Sequence, residues 1–223
     1  MNIVLHQWEL SPFCGKVRRI LEAKGLPYQV INYNGLLARK AAGLSPAGKL
    51  PVLDIDGQRI CDSRLIAQEL ERRFPMPALM PESAEERAQV QVFQDWADES
   101  LYWYEIHFRV QYKPAFRKVV AGLTQGRPAY ERPLMALILR RTLVGALKAQ
   151  GLGRVPVRLV EERFWLLMNN LDALLAHRTW LVGGARSLAD IAVGSQLHEV
   201  MRTTDISAKL ATLPHLQRWL RQA

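Results

Sequence analysis

At residues 11–18 the chain reads Ser11-Pro12-Phe13-Cys14-Gly15-Lys16-Val17-Arg18. An apolar run typical of a strand precedes this stretch at residues 3–8, and apolar residues at helical spacing follow it. Ser is a preferred N-cap and Pro suits the first helical position, so the stretch predicts a strand-to-helix junction. Cys14 would then lie in the first helical turn, where the helix dipole favours a thiolate or another anion. We therefore predict a site for sulfur chemistry, with the sulfur supplied by the protein or by a ligand.

The composition predicts a globular, soluble protein, with 49% hydrophobic and 23% charged residues among 223. No apolar run approaches the roughly 20 residues of a membrane span, and the N-terminus lacks the pattern of a signal peptide. The two cysteines do not form a disulfide framework, which favours a cytoplasmic location. The net charge of +9 is spread along the chain, so we predict neither nucleic-acid binding nor membrane association.

The first part of the chain alternates strands and helices in the order β-α-β-α-β-β-α. Strands are predicted at 2–9, 28–33, 51–55 and 58–61, and helices at 11–24, 36–42 and from Asp62-Ser63 to about Arg73. Asp56-Gly57 between the last two strands is a strong signal for a two-residue hairpin.

Helical patterns dominate the rest of the chain. Three prolines within residues 74–81 predict a linker. Helices are then predicted over 132–149, 156–175 and 214–220, and Ser187-x-x-Asp190 reads as a capping box. We predict a first domain at 1–75, a linker at 76–84 and an all-helical domain at 85–223.

These features together resemble a known family. The element order, the Ser-Pro-Phe-Cys turn, the run Lys49-Leu50-Pro51-Val52-Leu53 and the Asp62-Ser63 pair resemble the thioredoxin-like half of glutathione S-transferases. The cap at 187–190 extends the resemblance into the helical half. The resemblance implies an α/β thioredoxin-like N-terminal domain followed by an all-α C-terminal domain. It also implies a homodimeric detoxification enzyme of the cytoplasm that uses glutathione as co-substrate.

The resemblance also implies roles for individual residues. Ser11 would be the catalytic residue that faces the glutathione sulfur. Pro51 would be a cis-proline that leaves the backbone of Leu50 free to pair with glutathione like an added strand.

The two ends of glutathione would be held by other matching residues. The N–H of Ser63 suits the carboxylate of the γ-glutamyl end, and the carboxylate of Asp62 suits its ammonium group. Lys49, with Arg39 or Lys40, would meet the glycyl carboxylate.

A second set of side chains is predicted as the wall of a pocket for an electrophile. An apolar stripe at spacings of three and four from Val90 to Tyr104 predicts a helix, and the resemblance implies that this helix overlooks the sulfur. The members of the set lie in the first turn of the first helix or on this helix: Phe13, Cys14, Trp103, Tyr104, His107 and Phe108. Core packing is the alternative for the aromatic residues, and a small buried hydrophobic residue is the alternative for Cys14. The five histidines are scattered without metal-ligand spacing, so no metal site is predicted.

Three functions remain open from the sequence. The first is a glutathione transferase-like enzyme that activates the glutathione thiol for attack on a small apolar electrophile. The second is a non-catalytic binding protein on the same fold, similar to stringent starvation proteins. The third is a glutathione-dependent isomerase or thiol transferase. A two-cysteine disulfide mechanism is disfavoured for it, because Ser11 stands where thiol-transfer relatives carry a cysteine.

Overall fold

The structure is a computed structural model that describes residues 1–223. Its four-stranded sheet has the order β2-β1-β3-β4. The strands are β1 (Ile3–Gln7), β2 (Gln29–Asn32), β3 (Val52–Ile55) and β4 (Gln58–Cys61). β1 and β2 are parallel, with Leu5 opposite Val30, whereas β3 is antiparallel to both β1 and β4. This mixed sheet is the arrangement that the predicted β-α-β-α-β-β-α order requires.

Three helical segments belong to the sheet layer. α1 (Pro12–Ala23) follows β1, a 3₁₀ turn (Gly35–Leu37) and the short α2 (Ala38–Ala41) follow β2, and α3 (Ser63–Arg73) follows β4. The hairpin prediction is confirmed, since Asp56 and Gly57 both have positive φ, 49° and 86°. The predicted first strand was too long at both ends, and the predicted helix at 36–42 begins as a 3₁₀ turn.

The remainder of the chain is helical, and no strand follows β4. The helices are α4 (Ala84–Asp95), a π-helical turn (Trp96–Leu101), α5 (Tyr102–Gln111), α6 (Lys113–Leu123), α7 (Glu131–Gln150), a 3₁₀ turn (Leu152–Arg154), α8 (Val157–Leu174), α9 (Leu188–Thr203), α10 (Ser207–Leu210) and α11 (Pro214–Leu220). The sequence reasoning did not predict α6 or α10. The exact domain boundaries stay a prediction. None of these helices combines the length and the hydropathy that a membrane-spanning segment requires.

The central helix of the molecule is α9, which is buried along most of its length and packs against α1, α4 and α5. Its N-terminus has the predicted capping box. The carboxylate of Asp190 is fully buried and accepts hydrogen bonds from the N–H of Ser187 at 2.9 Å, the N–H of Leu181 at 2.8 Å and Nε1 of Trp219 at 2.8 Å. Because four donors converge on it when the Ser187 hydroxyl is included, this carboxylate fixes α9 against the last helix.

Candidate functional site

A cavity of about 410 Å³ lies between the sheet layer and the start of the helical region. Its lining comes from the loop before β3, the first turns of α1 and α3, and the segment from the end of α4 into the π-helical turn. It contains five of the residues that the sequence predicted for glutathione binding: Lys49, Leu50, Pro51, Asp62 and Ser63. The structure therefore brings the predicted binding residues together from three separate segments.

The loop before β3 presents an unpaired stretch of backbone to the cavity. The Leu50–Pro51 peptide bond is cis, as the resemblance implied. Neither the N–H nor the carbonyl of Leu50 takes part in a hydrogen bond within the chain. Lys49 beside it is held by Ser45, whose Oγ accepts from the Lys49 N–H at 3.0 Å and donates to the Lys49 carbonyl at 2.9 Å. A rigid loop thus offers one free donor and one free acceptor to a peptide-like ligand.

Asp62 and Ser63 form the first turn of α3. Asp62 has φ +77° and ψ 130°, a conformation that non-glycine residues rarely adopt and that concentrates at ligand-binding sites. Its Oδ1 accepts hydrogen bonds from the N–H groups of Arg64 at 2.8 Å and Leu65 at 3.3 Å. The N–H of Ser63 has no partner within the chain and lies at the positive end of the helix. One carboxylate and one free N–H are therefore presented side by side.

The opposite wall of the cavity is acidic. Asp95, Asp98 and Glu99 line it from the end of α4 and the π-helical turn. Asp98 Oδ2 pairs at 2.7 Å with Nζ of the buried Lys16, whereas its Oδ1 is buried without any hydrogen-bond partner. Burial raises the pKa of Asp98, Lys16 opposes that shift, and the nearby charge of Asp62 adds to it. A cationic group entering the cavity would compensate these carboxylates.

Ser11 is not among the residues that line the cavity. Its half-buried Oγ accepts a hydrogen bond from the Cys14 N–H at 3.3 Å and caps α1, as the sequence predicted. Phe13 does line the cavity, and its ring packs against Tyr102 with 4.9 Å between centroids. Since Ser11 Oγ only accepts in this bond, its O–H remains available to a ligand.

The other predicted pocket residues lie elsewhere. Cys14 is completely buried, and Tyr104, His107 and Phe108 lie in the interior with 9%, 4% and 2% of their surface exposed. Trp103 packs against a separate apolar cluster that contains Leu10 and Phe116. The prediction that these five residues line the pocket does not hold for this cavity: Cys14 on α1 and Tyr104, His107 and Phe108 on α5 pack in the interior, and Trp103 packs in the other cluster. Phe13 is the one member of the set that lines the cavity.

The sequence reasoning missed the acidic wall. The signal was present, because Asp95, Asp98 and Glu99 have the i, i+3, i+4 spacing that places three carboxylates on one helical face. That spacing does not determine which segment of the chain packs against the acidic face. The pairing of Asp98 with Lys16, which lies 82 residues away in sequence, is set by tertiary packing.

Fold and cavity together define a thioredoxin-like domain joined to a helical domain, with a cavity between them. The sequence model of the glutathione S-transferase N-terminal domain matches residues 5–81, and that of the C-terminal domain matches residues 160–222. The chain belongs to the glutathione S-transferase family. The predicted family and fold class are confirmed, and the catalytic role of Ser11 stays a prediction.

Three similar proteins illustrate the range of the family. Isoprene-epoxide–glutathione S-transferase of Rhodococcus sp. strain AD45 is 25% identical over 195 residues, 86% of this chain and 81% of that protein. FtsZ-localized protein A of Caulobacter vibrioides is 27% identical over 212 residues, 92% of this chain and 80% of that protein. The structure of a glutathione S-transferase from Methylobacillus flagellatus with glutathione bound has a TM-score of 0.59 at 22% identity, covering 99% of this chain and 93% of that chain. Glutathione is the co-substrate of this family.

Proposed function

We propose that the protein is a glutathione transferase that activates the glutathione thiol for attack on a small apolar electrophile. The observation that supports this proposal is the meeting, at one cavity, of the unpaired Leu50 backbone, the Asp62-Ser63 turn and the start of α1. The isoprene epoxide in the name of the Rhodococcus relative suggests small epoxides as one class of electrophile.

The chain's own groups match the parts of glutathione. Leu50 would donate one hydrogen bond from its N–H and accept one at its carbonyl, so the tripeptide would add as a short strand. The Ser63 N–H would bind the γ-glutamyl carboxylate, and Asp62 with the Asp98 side of the cavity would bind the ammonium group. Lys49 is exposed at the rim and would meet the glycyl carboxylate.

Ser11 would then hold the sulfur in its reactive form. A free cysteine thiol has a pKa of about 8.5, so only a few per cent is thiolate at pH 7. A hydrogen bond from the Ser11 hydroxyl, together with the dipole of α1, would favour the thiolate by about 2–3 kcal/mol. Most of the bound thiol would be ionised, and the rest of the rate enhancement would come from holding the electrophile close.

Cys14 does not compete for this role. Burial raises the pKa of the Cys14 thiol to about 11, against smaller opposing effects from Ser11 and Arg18. A thiol with that pKa is protonated at neutral pH and has no solvent access, so it is a poor nucleophile. This argues against thiol transfer through Cys14.

The test is the substitution Ser11→Ala, with Ser83→Ala as the matched control because Ser83 caps α4 in the same way. Conjugation of glutathione to a chloronitrobenzene or a small epoxide should fall about tenfold in Ser11→Ala, because the thiolate fraction falls while the dipole of α1 remains, and glutathione affinity by calorimetry should change little. Both variants lose a helix cap, so a comparable loss of stability is expected in each. Full activity in Ser11→Ala would refute the role of Ser11.

Cys14→Ala separates conjugation from thiol transfer. Because the thiol is buried and protonated, the variant should keep near wild-type turnover after allowance for a small cavity in the core. Abolished turnover in a folded Cys14→Ala variant would instead favour the thiol transferase.

A second candidate is a non-catalytic binding protein that uses the same cavity. It is favoured by the burial of most of the predicted electrophile wall and by the similarity to FtsZ-localized protein A. Calorimetric titration with glutathione, followed by assays with several electrophiles, separates the two. Binding without turnover would favour the second candidate, and no binding at millimolar glutathione would contradict both.

A homodimer is proposed from family membership. Leu65 of α3 and Val92 of α4 are 55% and 68% exposed and are available to a second copy. Light scattering at micromolar protein should give twice the chain mass of 25.4 kDa, and a monomer would contradict the proposal. A cytoplasmic location, for which the two free cysteines are suited, is proposed with it.

A further inference from the structure

A second cavity, of about 520 Å³, lies where α1 packs against α9. It shares no lining residue with the glutathione cavity. Its lining is almost entirely polar, with Met201 as the one apolar side chain. The charged residues that line it are Arg18, Arg19, Arg202, Glu22 and Glu199. Such a lining does not suit an apolar electrophile.

Positive charge is in excess at this cavity. Glu199 is 3% exposed and is shared among three guanidinium groups, with Arg18 at 3.5 Å, Arg109 at 3.5 Å and Arg202 at 3.4 Å. Glu22 is exposed and accepts a hydrogen bond from the Tyr28 hydroxyl. No carboxylate is therefore reserved for the remaining arginine.

That remaining arginine is Arg19. It forms no ion pair within 4.0 Å, and its only hydrogen bond is a long one, 3.5 Å, to Oγ of Ser195. Burial lowers the pKa of Arg19, and the charges of Glu199 and Glu22 oppose that shift. A guanidinium in that position retains most of its donors for a ligand.

Arg186 adds a second unpaired guanidinium. It makes no hydrogen bond and no ion pair in the chain, and its Nε is buried without a partner. Arg186 precedes α9 and does not line the cavity, but its charge helps to lower the pKa values of Arg19 and His198, and the charges of Asp190 and Glu22 oppose the lowering of its own pKa. Neither Arg19 nor Arg186 thus forms an ion pair within the chain.

We propose that this cavity is a second binding site, which takes a small oxyanion of two or more negative charges. Guanidinium groups bind phosphate and carboxylate oxygens in a bidentate manner, and those of Arg19 on α1 and Arg202 on α9, which both line the cavity, suit a doubly charged group. The cavity volume exceeds that of a single phosphate, so a diphosphate or a polycarboxylate fits better. Arg202 is exposed at the rim, where it lies 3.5 Å from Glu9 and 3.4 Å from Glu199, and it would exchange these contacts for such a ligand.

Calorimetric titration of the full chain with inorganic pyrophosphate and with citrate, at constant ionic strength, tests the proposal. We expect saturable binding of at least one of them that persists in saturating glutathione. Arg19→Gln should weaken it at least tenfold, and Arg186→Gln, which removes a charge outside the lining, should weaken it less. Arg158→Gln is the matched control, because Arg158 is exposed on α8 and pairs only with Glu162, and it should bind like the wild type. Preference for pyrophosphate or for citrate identifies the phosphate or the carboxylate class.

Two further variants keep the test decisive if Arg19→Gln or Arg186→Gln does not fold. Arg202→Gln changes an exposed residue and should weaken binding severalfold in a folded protein, and Arg19→Lys should do so by removing the bidentate geometry while keeping the charge. Equal affinity in the wild type and all these variants would overturn the proposal. So would the absence of binding at 10 mM of either anion, or equal displacement by chloride at the same ionic strength.

Discussion

His198 shows how a single residue is controlled by its surroundings in the fold. It lies on α9 between Arg19, Arg186 and the carbonyl of Leu220. Burial, with the two arginine charges, lowers its pKa to about 4, and the backbone of Leu220 opposes that shift only in part. At neutral pH the ring is therefore uncharged, and it adds no positive charge to the arginines around it.

This lowered pKa makes the free energy of unfolding depend on pH. An unfolded histidine takes up its proton near pH 6.5, whereas folded His198 resists it until about pH 4. Protonation therefore favours the unfolded chain, and stability is lost as the pH falls from 6.5 to 4. We expect His198→Gln to reduce that loss by about 1–2 kcal/mol, since the ring keeps some contact with solvent.

Urea unfolding at pH 7, 5.5 and 4.5 measures the effect. Exposed His177→Gln is the control and should follow the wild type. Identical pH dependence in wild type and His198→Gln would show that the ring is protonated as easily in the folded chain as in the unfolded one.

The contact between α6 and the loop after β1 depends on a glycine. A Cβ on Gly122 would lie 2.5 Å from Cδ1 of Leu10 and 3.3 Å from its Cγ. Leu10 is 8% exposed and belongs to the apolar cluster that joins this loop to α5, α6 and α7. The glycine therefore sets how closely the helical region approaches the turn that carries Ser11.

Two glycine substitutions in helices should have opposite effects. Gly122→Ala should lower the free energy of unfolding by about 1–3 kcal/mol, because Leu10 or α6 must move. Gly145→Ala on α7 is the matched control, since no atom lies within 4 Å of its added Cβ, and it should raise stability by about 0.5–1 kcal/mol. Equal urea midpoints for the two variants would contradict this account of the contact.

The linker between the two halves of the molecule is held by two side chains. Nζ of the fully buried Lys24 lies 2.6 Å from the carbonyl of Phe74, 3.0 Å from that of Pro77 and 2.5 Å from Glu71 Oε1. Oε2 of Glu71 accepts hydrogen bonds from the N–H groups of Leu79 and Met80 at 3.1 and 3.2 Å. The proline-rich segment is thus fixed in place, and it fixes the helical region relative to the sheet.

Lys24→Met should disrupt this arrangement. It leaves Glu71 as an uncompensated carboxylate, so we expect a loss of about 3 kcal/mol in the free energy of unfolding and faster chymotrypsin cleavage near Phe74. Lys40→Met removes an exposed lysine and should change neither measurement. A stable, protease-resistant Lys24→Met variant would show that the linker does not need this ion pair.

The chain's local chemistry determined much of the fold in advance. Three local motifs act through groups within four residues and can therefore be recognised from the sequence. They are the cap at Ser11-Pro12, the Asp56-Gly57 hairpin and the Ser187-x-x-Asp190 box. The same holds for the cis-proline run and the Asp62-Ser63 turn, once the resemblance to a family supplies their meaning.

Tertiary structure alone decided which side chains meet. A helical pattern does not state which partner a face will contact, because burial is set by segments far apart in sequence. Packing therefore directed Tyr104 and Phe108 into the core, enclosed Cys14 completely and raised its pKa. It also brought Asp98 to the buried Lys16 and placed Arg19, without an ion pair, at a cavity between α1 and α9. Local hydrogen bonding fixed the elements, and long-range packing fixed the sites between them.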